Sequence, residues 1–120
     1  MTKQKSKIRK DTEKIGNSKI VIVSSAFRGE VADALEKNAL ATFEKNGVPL
    51  KNITVLRVPG AMEIPLMVQK VARSKKYDAI ITFGAIVKGD TYHFEQISNE
   101  CARGCMEVSL AYNIPVIFEV

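Results

Sequence analysis

The chain has 120 residues, enough for one domain with a real core but too few for two. Its 46% hydrophobic and 26% charged content is that of a globular domain, and no apolar run approaches the roughly 20 residues of a membrane span. The net charge of +5 resides entirely in residues 1–19, where seven basic residues face Asp11 and Glu13; the remainder carries eleven bases and eleven acids.

Residues 1–18 therefore read as a basic tail. Such a tail can bind nucleic acid or an anionic membrane, but a charge run without periodicity reads first as a solvated, disordered arm, and nucleic-acid binding is not expected. No apolar stretch with a small-residue cleavage site follows, so a secretory signal is not expected. Cys101 and Cys105 are the only cysteines. Their i, i+4 spacing suits a helix face and makes a poor disulfide, which points to reduced core thiols in a cytoplasmic protein.

After the tail, Lys19–Ser24 is a short β-branched run suited to a strand covered on both faces. Val31, Ala34, Leu35, Ala39 and Phe43 recur at helical spacing and predict an amphipathic helix over Glu30–Asn46, stopped by Gly47 and Pro49. Ile53–Val58 is a second strand ended by Pro59-Gly60, and Pro65 suits the first turn of a helix running to about Ser74, with Lys75-Lys76 at its end. Ala79–Gly84 is a third strand; beyond a loop through Gly89, the positions Phe94, Ile97, Cys101, Val108 and Tyr112 define a long helix, and Pro115–Phe118 begins a fourth strand. Strands alternating with helices predict a doubly wound parallel sheet, a flavodoxin-like three-layer α/β/α sandwich over 19–120. The sequence ends at Val120 without a helix to cover that strand, as if a C-terminal part were missing.

In an open α/β sheet ligands bind beyond the carboxyl ends of the strands, and three unusual segments fall at such ends. In Ser24-Ser-Ala-Phe-Arg28, Phe27 stands at the sheet rim, where it can stack on a flat ring or simply seal the first helix; Ser25 and Arg28 add polarity. In Val58-Pro-Gly-Ala-Met-Glu-Ile-Pro65, free backbone N–H groups and the Glu63 carboxylate suit a polyol, although Glu63 also suits a helix's first turn for its charge alone. In the stretch from Gly84 to Glu95, Gly89, Asp90 and Thr91 lie at the start of the long helix, an anion site by virtue of exposed amides and dipole, or plain caps. His93, the only histidine, can move protons near neutral pH.

Together these segments resemble the lumazine synthase family, and the similarity covers Lys19 to Val120, with Val58–Pro65 and Gly84–Phe94 as its most specific parts. The resemblance implies condensation of 5-amino-6-(ribitylamino)uracil with 3,4-dihydroxy-2-butanone 4-phosphate, the penultimate step of riboflavin biosynthesis, without metal or organic cofactor. It implies that Phe27 stacks on the pyrimidine, that Ala61, Met62 and Glu63 hold the ribityl chain, and that the backbone of Ala85, Ile86 and Val87 helps hold the ring. Asp90 and Thr91 would bind the sugar phosphate, His93 would transfer protons, and Phe118 would serve the neighbouring subunit's site. A homopentamer or an icosahedral assembly of pentamers follows, with riboflavin synthase as a candidate partner. Three departures stand out: Arg28 where Asn is usual, Met62 where Phe is common, and no C-terminal third with its phosphate-binding arginine and nearby lysine. Two rival readings are a shell or scaffold protein with little activity and a flavodoxin-like nucleotide-binding domain, although no glycine-rich phosphate loop follows the first strand.

Overall fold

A computed structural model describes residues 15–120. The basic tail falls for the most part outside the described residues. Its last residues, Ile15–Asn17, form a 3-10 turn, and Asn52 Nδ2 donates to the Gly16 carbonyl at 3.1 Å.

Four strands, β1 (Ile20–Ser25), β2 (Ile53–Val58), β3 (Ala79–Phe83) and β4 (Val116–Glu119), form one parallel sheet in the order β2-β1-β3-β4. The chain steps from β1 outward to β2, then returns across β1 to β3 and β4. Right-handed crossovers turn that reversal into helices on both faces. α1 (Gly29–Lys45) covers one face, and α2 (Ile64–Ser74) and α3 (His93–Tyr112) pack on each other across the opposite face. The result is the flavodoxin-like α/β/α sandwich. Among the described residues no helix is long and apolar enough to cross a membrane.

All six residues of β1 are buried, as its central place in the sheet demands. Val21, Val23 and Ile80 meet Ile64, Val68, Val71, Cys101, Cys105 and Val108 of α2 and α3 in the main core. Both cysteines are free and buried within it. The Cys101 thiol is pushed above the ordinary thiol range, first by its hydrogen bond with Cys105 and then by burial, while the same bond lowers Cys105.

Several expectations are corrected. The inner face of α1 carries Ala32 and Glu36, whereas Val31 and Ala34 point outward. Arg57 of β2 partners the carboxylate on this inner face. Its Nε donates to Glu36 Oε1 at 2.9 Å and its Nη2 to Asp33 Oδ1 at 2.6 Å, with a second contact to Glu36 Oε2, so a carboxylate outside the apolar pattern can be buried on the inner face. Those two carboxylates also push the Arg57 guanidinium above its ordinary range. β4 runs from Val116 rather than Pro115, since proline has no N–H to give the ladder. The chain from Gly84 to Tyr92 stays irregular, so Asp90 and Thr91 precede the helix instead of capping it; Tyr92 takes the cap position.

One contact ties the two helices of the main face together. A Cβ added at Gly104 of α3 would lie 2.7 Å from Pro65 Cβ and 2.9 Å from its Cγ, so only glycine lets α3 approach the first turn of α2 this closely.

Candidate functional site

The carboxyl ends of β1, β2 and β3 lead into three connections on one side of the sheet. β1 and β3 are neighbours whose helices leave toward opposite faces, which opens a crevice between their ends. Ala26 N–H donates to the Val58 carbonyl at 2.7 Å and Gly84 N–H to the Glu119 carbonyl at 3.3 Å, pinning the loop bases to neighbouring strands. At Gly84 a Cβ would come within 3.2 Å of Val120 Cγ1 and 3.5 Å of Ser25 Cβ, so the rim is crowded there. The buried hydroxyls of Ser24 and Ser25 have no hydrogen-bond partner among the described residues.

A cavity of about 480 Å³ occupies the crevice. Phe27 contributes from the first connection, Pro59 to Glu63 from the second, and Ala85, Ile86, Val87, Gly89 and Thr91 from the third, with His93, Phe94 and Ile97 from the first turns of α3. Its size suits a ligand of drug-like dimensions. Phe27, Met62 and Val87 are each about half exposed, at 50%, 52% and 50%, so the rim of the cavity is apolar.

The polar groups are unevenly placed. Ala61–Glu63 form a 3-10 turn after Gly60 in extended conformation, and Glu63 N–H donates to the Gly60 carbonyl at 3.1 Å. At the start of α3, His93 N–H donates to Thr91 Oγ1 at 3.3 Å, and Glu95 and Gln96 N–H both donate to the Tyr92 carbonyl. The His93 side chain is exposed on the cavity wall. Two cations sit over the lining aromatics: Arg28 Cζ is 5.6 Å from the Phe27 ring centroid, and Lys88 Nζ is 5.9 Å from that of Phe94.

Nine of the eleven residues singled out from the sequence thus share this cavity: Phe27, Ala61, Met62, Glu63, Ala85, Ile86, Val87, Thr91 and His93. Asp90 is exposed and does not line it. Phe118 also stands apart; on β4 it pairs in register with Thr82 of β3 and packs, half buried, against the main core. Gly89, read from the sequence with Asp90 and Thr91 as a possible anion site, lines the cavity too, and so do Pro59, Gly60, Phe94 and Ile97, which were not singled out individually. Phe94 and Ile97 fit the apolar period of α3, and Ile97 does pack against the main core; the placement of that first turn beside the 59–63 turn puts both on the cavity wall as well. Pro59, Gly60 and Gly89 were legible as turn residues within the same segments.

The fold and crevice define an α/β protein with a cavity of small-molecule size at the carboxyl ends of parallel strands. Residues 17–120 match the family described as 6,7-dimethyl-8-ribityllumazine synthase, and the chain belongs to that family.

Proposed function

We propose that the chain condenses 5-amino-6-(ribitylamino)uracil with 3,4-dihydroxy-2-butanone 4-phosphate to form 6,7-dimethyl-8-ribityllumazine. The amine attacks the ketone and expels water, phosphate leaves by elimination, and the second nitrogen closes the ring with loss of another water. One observation carries this reading. Phe27, the 59–63 turn and the 85–93 stretch, remote in sequence, converge on a single cavity in a chain of this family.

In this reading Phe27 stacks on the pyrimidine, and the backbone of Ala85, Ile86 and Val87 borders the ring. The turn of Ala61, Met62 and Glu63 offers N–H donors and a carboxylate to the ribityl hydroxyls. Thr91 borders the phosphate position before α3, where the helix dipole favours an anion, and Asp90 beside it contributes through its backbone, since its carboxylate would repel the phosphate. His93 moves protons between the amine, the departing phosphate and the closing ring. Holding two reactants in register supplies much of the acceleration.

Phe118 lies outside its own chain's cavity, in keeping with service to a neighbouring chain, and with a homopentamer or an icosahedral shell of pentamers. Exposed Leu66, Met106 and Leu110 supply apolar surface for such contacts. We assign residues 19–120 to the catalytic domain and 1–18 to an appended basic tail, in a cytoplasmic enzyme whose product passes to riboflavin synthase.

The test is to incubate the chain with both substrates and follow lumazine and inorganic phosphate together. One phosphate per lumazine is expected. Assembly without turnover would replace this reading with that of a scaffold.

A further inference from the structure

Arg28 occupies a backbone position that suits it poorly. Its φ of 57° and ψ of 56° are left-handed, a conformation that glycine or asparagine adopts far more readily than a long side chain. Strain of this kind at the edge of a cavity raises the question of what the side chain does.

The guanidinium lies over Phe27, 5.6 Å from the ring centroid. Among the described residues Arg28 makes no ion pair; the two arginines that do are Arg57 and Arg103. Arg28 does not line the cavity, whereas Phe27, over whose ring its guanidinium lies, does, so a ligand stacked on the free face of that ring would have the cation on the other side. Other charged or titratable groups near that space are Glu63 in the second connection, Lys88 and Asp90 in the third, and His93 at the start of α3.

We propose that Arg28 is a specificity-determining residue: through Phe27 it biases the cavity toward flat rings that carry negative charge. The inference rests on the reading that Phe27 stacks on a pyrimidine. A ring stacked about 3.5 Å beyond Phe27 would lie on the order of 9 Å from the guanidinium. At that distance, in a partly solvated site, the attraction for one negative charge corresponds to a preference of about three- to fivefold. A neutral ring gains little from the same cation.

The experiment compares uracil, neutral at pH 7, with orotate, the same ring bearing a carboxylate, on the full chain by NMR titration. Arg28→Met keeps the side-chain length and the backbone cost while removing the charge, and Arg28→Lys restores it. The orotate-over-uracil preference should fall about three- to fivefold in Arg28→Met at low salt and return to within about twofold in Arg28→Lys, with uracil affinity unchanged. Phe27→Ala should weaken both ligands. Equal weakening of uracil and orotate in Arg28→Met, or an unaltered preference, would overturn the proposal. Lumazine formation by the unmodified chain, measured alongside, separates the two failures. Turnover with an unaltered preference removes only the role of Arg28, whereas neither turnover nor binding of either probe removes the reading of the site itself.

Discussion

Replacing Gly104 by alanine tests the packing that places the two walls of the cavity. The new methyl would meet Pro65 at 2.7 and 2.9 Å, about 1 Å inside ordinary carbon contact, and the pyrrolidine ring cannot rotate away. α3 must then part from the first turn of α2. Overpacking of this kind costs about 1–3 kcal/mol, and two contacts this short place it in the upper half of that range. Alanine recovers up to ~1 kcal/mol of helix propensity, leaving a net loss of about 1–2 kcal/mol. For a domain of this size that lowers Tm on the order of 5–10 °C, measured by calorimetry at fixed protein concentration because assembly would shift it. The same displacement separates Met62 and Glu63 from His93 and Phe94, so turnover should fall as well. Pro65→Gly in the Gly104→Ala background should restore part of the loss. A Gly104→Ala chain as stable as the parent, or more stable, would show that propensity alone governs this position and that the helices are not in close contact.

Three further outcomes are expected. His93→Ala should slow lumazine formation by roughly 10²-fold with the thermal unfolding curve unchanged; equal turnover would remove it from proton transfer. Phe27→Ala should weaken pyrimidine binding by about 1 kcal/mol in a calorimetric titration, and equal affinity would show the ring is only a seal on α1. Glu36→Ala should destabilise the fold by about 1–2 kcal/mol in urea unfolding, because it breaks a two-point contact to Arg57; the value is held down by the 35% exposure of the Arg57 side chain. No change there would mean Asp33 alone holds Arg57.

Much of the fold was legible from short-range pattern. Ile20–Ser25 is buried on both faces because it is the second of four strands, and an unbroken β-branched run records that. The Pro-Gly turn and the Gly89–His93 stretch were legible as site segments because turn chemistry and a lone histidine are local signals, and strand polarity alone brings them to one side of the sheet. What stayed hidden depends on partners distant in sequence. Glu36 of α1 is buried because Arg57, on β2, reaches it; without that partner a carboxylate could not stay on the inner face. That Phe94 and Ile97 also line the cavity shows only once the start of α3 is placed beside the 59–63 turn. Gly104 reads as a weak helix residue until Pro65 is found against it. Arg28 reads as surface charge until the backbone turns left-handed and folds the guanidinium over Phe27. Periodicity therefore determined which elements form and in what order, whereas only tertiary packing decided which face each presents and which residues meet, because those outcomes rest on contacts that no local window of the chain contains.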